Sequence, residues 1–172
     1  MFTKADVEKY FIAEKQESLL FVGIGVAAII IALLGLFIWK SQAWKGASIP
    51  LIAIALIQIV AGYTVYKRSD ADRVRNVYSF TMDPSRLKNE EMPRMETVSK
   101  NFVIYRCVEI ALILAGFFLI FLYKSNTDKQ FLLGVGLALA IQAALMLTAD
   151  YFAEKRAKIY TAGIKAHLEK NK

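Results

Sequence analysis

Few residues of this 172-residue chain have types and spacing that suggest chemistry, and the most suggestive ones lie inside apolar stretches. Arg106 and Glu109 are three residues apart in one such stretch, and Gln58 and Gln142 interrupt two others. A carboxyl group is costly to bury in hydrocarbon, so Glu109 is expected to face the protein interior and to have a partner. Arg106 is the first candidate for that partner, because residues three apart are neighbours on a helix.

Depth estimates place these polar side chains in one layer. At a rise of about 1.5 Å per residue, Glu109 lies roughly 10 Å from the basic end of its stretch, and Gln58 and Gln142 lie roughly 12 Å from the basic ends of theirs. Tyr63 and Thr148 fall nearer those basic ends, as Arg106 does, at the mouth of any cavity. The six residues are therefore candidates for a ligand-binding site.

Two interpretations of this polar layer are open. In the first, it forms a cavity that binds a ligand, a proton or a lipid headgroup, since ionisable residues inside a membrane are often functional. In the second, Gln58 and Gln142 hydrogen-bond across helices, Arg106 pairs with Glu109, and the layer fixes the register of the helices.

Other kinds of site have little support in the sequence. The single cysteine, Cys107, excludes an intrachain disulfide, and the single histidine, His167, excludes a haem or metal held by paired imidazoles. The chain has no HExxH motif, no phosphate-binding loop and no GxGxxG between a strand and a helix. We therefore expect no catalytic residue, no metal and no cofactor, and a lipid-active enzyme is the weakest of the open functions.

The candidate residues are carried by four apolar stretches that are long enough to cross a bilayer. A hydrocarbon core of about 30 Å requires about 20 helical residues. The hydrophobic content of 56% also exceeds the roughly 45–50% of soluble domains. The sequence predicts an all-α, integral membrane four-helix bundle in one domain, made of two tandem transmembrane hairpins. The predicted spans are 19–39, 49–66, 102–123 and 130–150, with Pro50 in the first turn of the second span.

The distribution of Lys and Arg predicts the orientation of these spans. Seventeen of them lie in the two terminal segments and the long central loop, whereas four lie in the two short turns. Because basic residues resist translocation, segments 1–18, 67–101 and 151–172 are expected in the cytoplasm, with the chain in the inner (plasma) membrane. The net charge of +7 has the same explanation, so nucleic acid is not an expected partner.

The three cytoplasmic segments are predicted to be amphipathic helical extensions. Asp83 and Pro84 form a good N-cap and first-turn pair for a short helix through about Glu91. Apolar residues recur at helical spacing beyond Asp150, so the fourth helix is expected to continue past the membrane. Such extensions lie on lipid, pack together as a collar, or hold a soluble partner. We favour lipid or intramolecular packing.

An internal duplication is also predicted. A shift of 84 residues places Lys40-Ser41 on Lys124-Ser125, Gln58 on Gln142, and Thr64 on Thr148. Both hairpins enter from the same side, so the repeat would be a parallel one with its two-fold axis along the membrane normal.

Two classes of function fit these features. The leading hypothesis is a non-enzymatic protein acting through protein–protein contacts, either an oligomeric accessory subunit or an immunity-type protein that neutralises a membrane-targeting toxin. Its partners would be the bilayer and a second copy or another protein. The alternative is a small transporter or a ligand- or lipid-binding protein built around Glu109, Gln58 and Gln142. A cavity that reaches Glu109 would favour the alternative, and closed packing around it would count against it.

Overall fold

The structure is a computed structural model that describes residues 2–170, so the ends of the predicted cytoplasmic segments at residues 1, 171 and 172 lie outside it. This described part contains no strand, which confirms the all-α class. Each long helix contains a window of mean hydropathy between 2.0 and 2.9, and is therefore long and apolar enough to cross a membrane. The four helices are α1 (Lys4–Trp39), α2 (Gln42–Met82), α3 (Pro84–Tyr123) and α4 (Thr127–Lys170).

Helix α2 begins earlier than the apolar pattern predicts. The chain turns at Lys40, whose φ of 52° is left-handed, and the Ser41 hydroxyl then accepts a hydrogen bond from the Trp44 backbone N–H at 3.3 Å. This cap starts the helix at Gln42, so Pro50 lies inside α2 and its predicted place in the first turn was wrong. The apolar run begins a full two turns after the helix does.

A local signal separates α2 from α3. The Asp83 side chain accepts a hydrogen bond from the Arg86 backbone N–H at 3.2 Å, and Pro84 occupies the first turn, so the predicted N-cap is confirmed. The helix does not end near Glu91 as predicted, but continues through a wide turn at Leu87–Glu91 into the third apolar stretch. The central loop is therefore the tip of a hairpin between α2 and α3. Beyond the fourth stretch, α4 also continues as predicted.

The two central helices are α2 and α4. Helix α1 packs along α2, α2 packs against α4, and α3 packs along α4. Small residues make these approaches possible: a Cβ added at Gly116 of α3 would lie 2.7 Å from the Gly136 carbonyl oxygen of α4. Close backbone approach at small residues is the packing typical of helices in membranes.

The molecule has an apolar half and a charged half. In the apolar half, formed by residues 19–39, 49–66, 102–123 and 130–150, large apolar side chains point outward, and Phe121 is 73% exposed. The charged half, here called the collar, consists of residues 4–18, 67–101 and 151–170. The collar segments pack on one another around a core of Val7, Tyr10, Phe11, Phe80, Leu87, Met95, Ala157, Tyr160 and Ile164.

Candidate functional site

A groove of about 400 Å³ opens between α3 and α4 where the apolar half meets the collar. Its lining combines three carboxyl groups and one guanidinium with apolar and aromatic side chains. Of the six predicted site residues, the groove contains Arg106, Glu109 and Thr148. The full lining is Arg106, Glu109, Ile110, Leu147, Thr148, Asp150, Tyr151, Phe152 and Glu154.

Glu109 is the most unusual residue of this groove. Its side chain is 1% exposed, yet no donor in the described residues hydrogen-bonds to either carboxylate oxygen. The antiparallel packing of α3 on α4 places the Asp150 carboxyl against it. Two carboxyl groups that face each other away from water cannot both carry a charge at low cost, and a hydrogen bond between them requires a proton. The pair can therefore hold one proton between the two carboxyl groups, or one cation in place of that proton.

The predicted ion pair between Arg106 and Glu109 was wrong. The Arg106 guanidinium pairs with Glu154 of α4, and Lys158 contacts the same carboxylate at 2.8 Å. The packing of α3 on α4 brings the Glu154 carboxylate to the Arg106 guanidinium, so Arg106 pairs between helices and not along its own helix. Lys158 and then Arg106 hold the pKa of the Glu154 carboxyl below its ordinary value.

The two glutamines form a separate polar contact. The Gln142 amide donates a hydrogen bond to Gln58 Oε1 at 3.0 Å, and both side chains are 2% exposed. Glu109 lies opposite Asp150, which is eight residues or roughly 12 Å along α4 from Gln142. The prediction of a single polar layer is therefore wrong, because the stagger of α3 on α4 places Glu109 nearer the collar than the two glutamines are. The glutamines make the cross-helix bond of the second interpretation.

The remaining two predicted residues do not join Glu109. Tyr63 is 58% exposed on α2 and does not line the groove. Thr148 lines the groove, but its hydroxyl donates to the Ala144 carbonyl of its own helix at 2.8 Å. The carboxyl groups therefore dominate the chemistry of the groove.

Asp150 and Glu154 are not among the six predicted site residues. The sequence pattern marks Asp150 only as the end of the fourth stretch and Glu154 only as part of an amphipathic helical extension. Their spacing of four residues puts both on one helix face, and Arg106 and Glu109 share a face of α3 in the same way. These matching pairs on two antiparallel helices were the available signal for the groove.

The collar contains a second, buried polar cluster. The Arg94 guanidinium donates to both carboxylate oxygens of Glu91 at 2.9 and 2.7 Å, and the Tyr160 hydroxyl donates to Glu91 at 2.8 Å. The Tyr10 ring stacks on Tyr160 with centroids 4.0 Å apart. Burial raises the pKa of both tyrosines above the ordinary value. This cluster lies within the hydrophobic core of the collar, so it acts as an internal tie between α1, α3 and α4.

Comparisons with known proteins assign this chain to no family. No protein-family model matches the sequence, and no curated protein and no solved structure matches it. Within residues 2–170, no set of three or more His, Cys, Asp or Glu side chains is placed to hold a metal ion. The fold and the groove define a class: an all-helical protein with four helices able to cross a membrane and an acidic groove beside two of them.

Proposed function

We propose that this chain is a four-span protein of the inner membrane whose groove between α3 and α4 binds a small ligand or a lipid headgroup. The termini and the collar would lie in the cytoplasm. The observation that carries the proposal is Glu109, a buried carboxyl that faces a second carboxyl, has no donor from any other described residue, and borders an open groove. A buried polar group without a hydrogen-bond partner costs about 1–3 kcal/mol, so a ligand that supplies the partner would recover that cost.

The outward apolar side chains support membrane insertion. Contiguous apolar surface of this extent is unfavourable in water, and hydrocarbon is the solvent that would accept it. The collar carries its own packed core and most of the Lys and Arg, which supports a cytoplasmic position.

The glutamine contact supports the internal duplication. Gln58 and Gln142 correspond under the 84-residue shift, and they bond to each other between the two central helices. Equivalent residues of a parallel repeat meet at its two-fold axis, so we place that axis between α2 and α4.

A role in protein–protein contact is the second candidate. The apolar window of α3 is 11% buried, against 22–33% for the other helices. Such an open face favours packing against a second copy or another membrane protein. Cys107 is exposed on this helix, so a thiol-reactive crosslinker should join two chains through it if the contact is between copies. Crosslinking that fails at all protein densities in native membranes would count against a homo-oligomer through this face.

Ligand binding is tested by native mass spectrometry of the protein taken directly from its membranes. The unmodified chain is expected to retain a small molecule or lipid adduct, and Glu109→Gln should lose it. Glu96→Gln, an identical change at an exposed position of α3, should keep it. An adduct that is equally retained by all three proteins would show that the groove does not depend on its buried carboxyl, and would refute the proposal.

The orientation is tested by cysteine labelling in cells with a membrane-impermeant maleimide, in a Cys107→Ser background. Lys129→Cys should react from outside, and Ser85→Cys should react only after permeabilisation. The reverse pattern would overturn the topology and the cytoplasmic position of the collar.

A further inference from the structure

We infer that the ligand of the groove is a lipophilic cation, that is, an apolar molecule with one poorly hydrated positive charge. This inference rests on the proposed function and names the class of its ligand. It follows from the charges, the burial and the apolar walls of the groove.

The charge of the groove selects a cation. Three carboxyl groups, those of Glu109, Asp150 and Glu154, face one guanidinium, that of Arg106. The Arg106 guanidinium and the Lys158 ammonium are both engaged by Glu154. No Lys, Arg or His of the described residues forms an ion pair with Glu109 or Asp150, so these two carboxyls have no cation of their own. An anionic ligand would meet repulsion there.

The burial of the site selects a poorly hydrated cation. Glu109 is almost fully buried, so a ligand that reaches it must give up its hydration shell. Magnesium and calcium ions lose water reluctantly and require more oxygen ligands than two carboxyls provide. A quaternary ammonium or phosphonium is shielded by apolar groups and loses less on leaving water, and it compensates a buried carboxylate by its charge instead of by a hydrogen bond.

The walls of the groove suit an apolar body. Ile110 and Leu147 line it, and so do the aromatic residues Tyr151 and Phe152, whose ring centroids are 5.5 Å apart. Aromatic faces attract a cation within about 6 Å of the ring centroid, so these rings would favour a cation on its way in. The volume of about 400 Å³ lies in the range of roughly 300–1,000 Å³ that small-molecule sites occupy.

The position of the groove suits a ligand that arrives from the bilayer. The groove lies at the junction of the apolar half and the collar: Glu109 lies within the third apolar stretch, Asp150 at the end of the fourth, and Glu154 in the collar. An amphiphilic cation in a membrane places its charge at that level and its apolar part deeper. The ligand would therefore reach Glu109 sideways, between α3 and α4.

Two probes of equal shape and opposite charge test the inference. Tetraphenylphosphonium and tetraphenylborate are added separately to the full chain in phosphatidylcholine nanodiscs, with empty nanodiscs as background, and binding is measured by equilibrium dialysis. Tetraphenylphosphonium should bind and tetraphenylborate should not. Because removing one partner of a buried charge pair costs several kcal/mol, Glu109→Gln and Asp150→Asn should each weaken the binding by about tenfold or more. Glu96→Gln should leave it unchanged.

The outcomes separate this inference from the proposed function. The inference of a cationic ligand would be refuted if the two probes bound equally. It would also be refuted if tetraphenylphosphonium still bound to both groove variants. A native adduct that depends on Glu109 but is not displaced by tetraphenylphosphonium would keep the proposed function and refute the cation. If the unmodified chain shows neither a native adduct nor tetraphenylphosphonium binding, both the proposed function and the cation inference are refuted. Should Glu109→Gln fail to fold by size-exclusion chromatography, Asp150→Asn decides the result.

Discussion

Replacing Glu109 by methionine should make the protein more stable. Methionine has the length of glutamate and is apolar, so it can fill the same space without a polar atom that needs a partner. Both carboxylate oxygens of Glu109 lack a donor, and a buried unsatisfied polar group costs about 1–3 kcal/mol. The substitution also removes the carboxyl that faces Asp150. We expect Glu109→Met to raise the free energy of unfolding by about 1–3 kcal/mol in the absence of ligand.

The measurement is equilibrium unfolding in mixed detergent micelles, followed by far-ultraviolet circular dichroism, with thermal unfolding as a second readout. For a chain of this size, 1 kcal/mol corresponds to about 2–4 °C in Tm. Glu96→Met on the exposed face of the same helix is the matched control, and it should change stability by no more than about 0.5 kcal/mol. The same Glu109→Met protein should lose the ligand.

The opposite sign would refute this reasoning. If Glu109 were one member of a satisfied buried pair, removing it would destabilise the protein by about 3–5 kcal/mol. A loss of that size in Glu109→Met, with Glu96→Met unchanged, would assign Glu109 a structural role. The groove would then no longer stand out as a site for a ligand.

Three further predictions concern helix packing, the glutamine contact and alkaline pH. Gly116→Ala should lower the free energy of unfolding by about 1–3 kcal/mol, because the new Cβ would lie 2.7–2.9 Å from atoms of α4. Gly23→Ala, where nothing lies within 4 Å, should be neutral or stabilising by up to about 1 kcal/mol, and equal stabilities of the two in unfolding curves would contradict this packing. Gln58→Leu should lower the free energy of unfolding by about 1–3 kcal/mol, because it leaves the Gln142 amide unpaired. Adding Gln142→Leu should recover part of that loss. A double-mutant cycle in which the two effects are additive would refute the contact. Burial raises the pKa of the Tyr160 hydroxyl above 10.0, so its contribution to stability is complete below pH 10 and is lost as the pH rises further. Denaturant unfolding should show a loss of stability between pH 9 and pH 11 that Tyr160→Phe reduces by about 1.4 kcal/mol over the whole interval, and an unchanged loss would contradict a buried, protonated Tyr160.

The helical elements could be predicted because their causes are local in the chain. A window of about 20 apolar residues specifies a helix that can cross a bilayer, whatever surrounds it. The Asp83-Pro84 pair specifies a helix start through its own side chain and its own missing N–H. The continuation of α4 beyond Asp150 follows likewise from apolar residues that recur with the period of one helix. Local signals erred where two of them overlapped, as at Pro50, where the Ser41 cap precedes the apolar run.

The partners of the charged side chains depended on the tertiary structure. Arg106 and Glu109 are neighbours on one helix, yet the stagger of α3 on α4 pairs Arg106 with Glu154 and sets Glu109 against Asp150. The two helices approach each other most closely around Gly116, seven residues along α3 from Glu109. By itself, the sequence determined which residues are helical, which stretches are apolar and which residue types are costly to bury. Only the tertiary structure decided which buried groups lack a partner, Glu109 among them, because that depends on the relative positions of the helices, and no local pattern contains it.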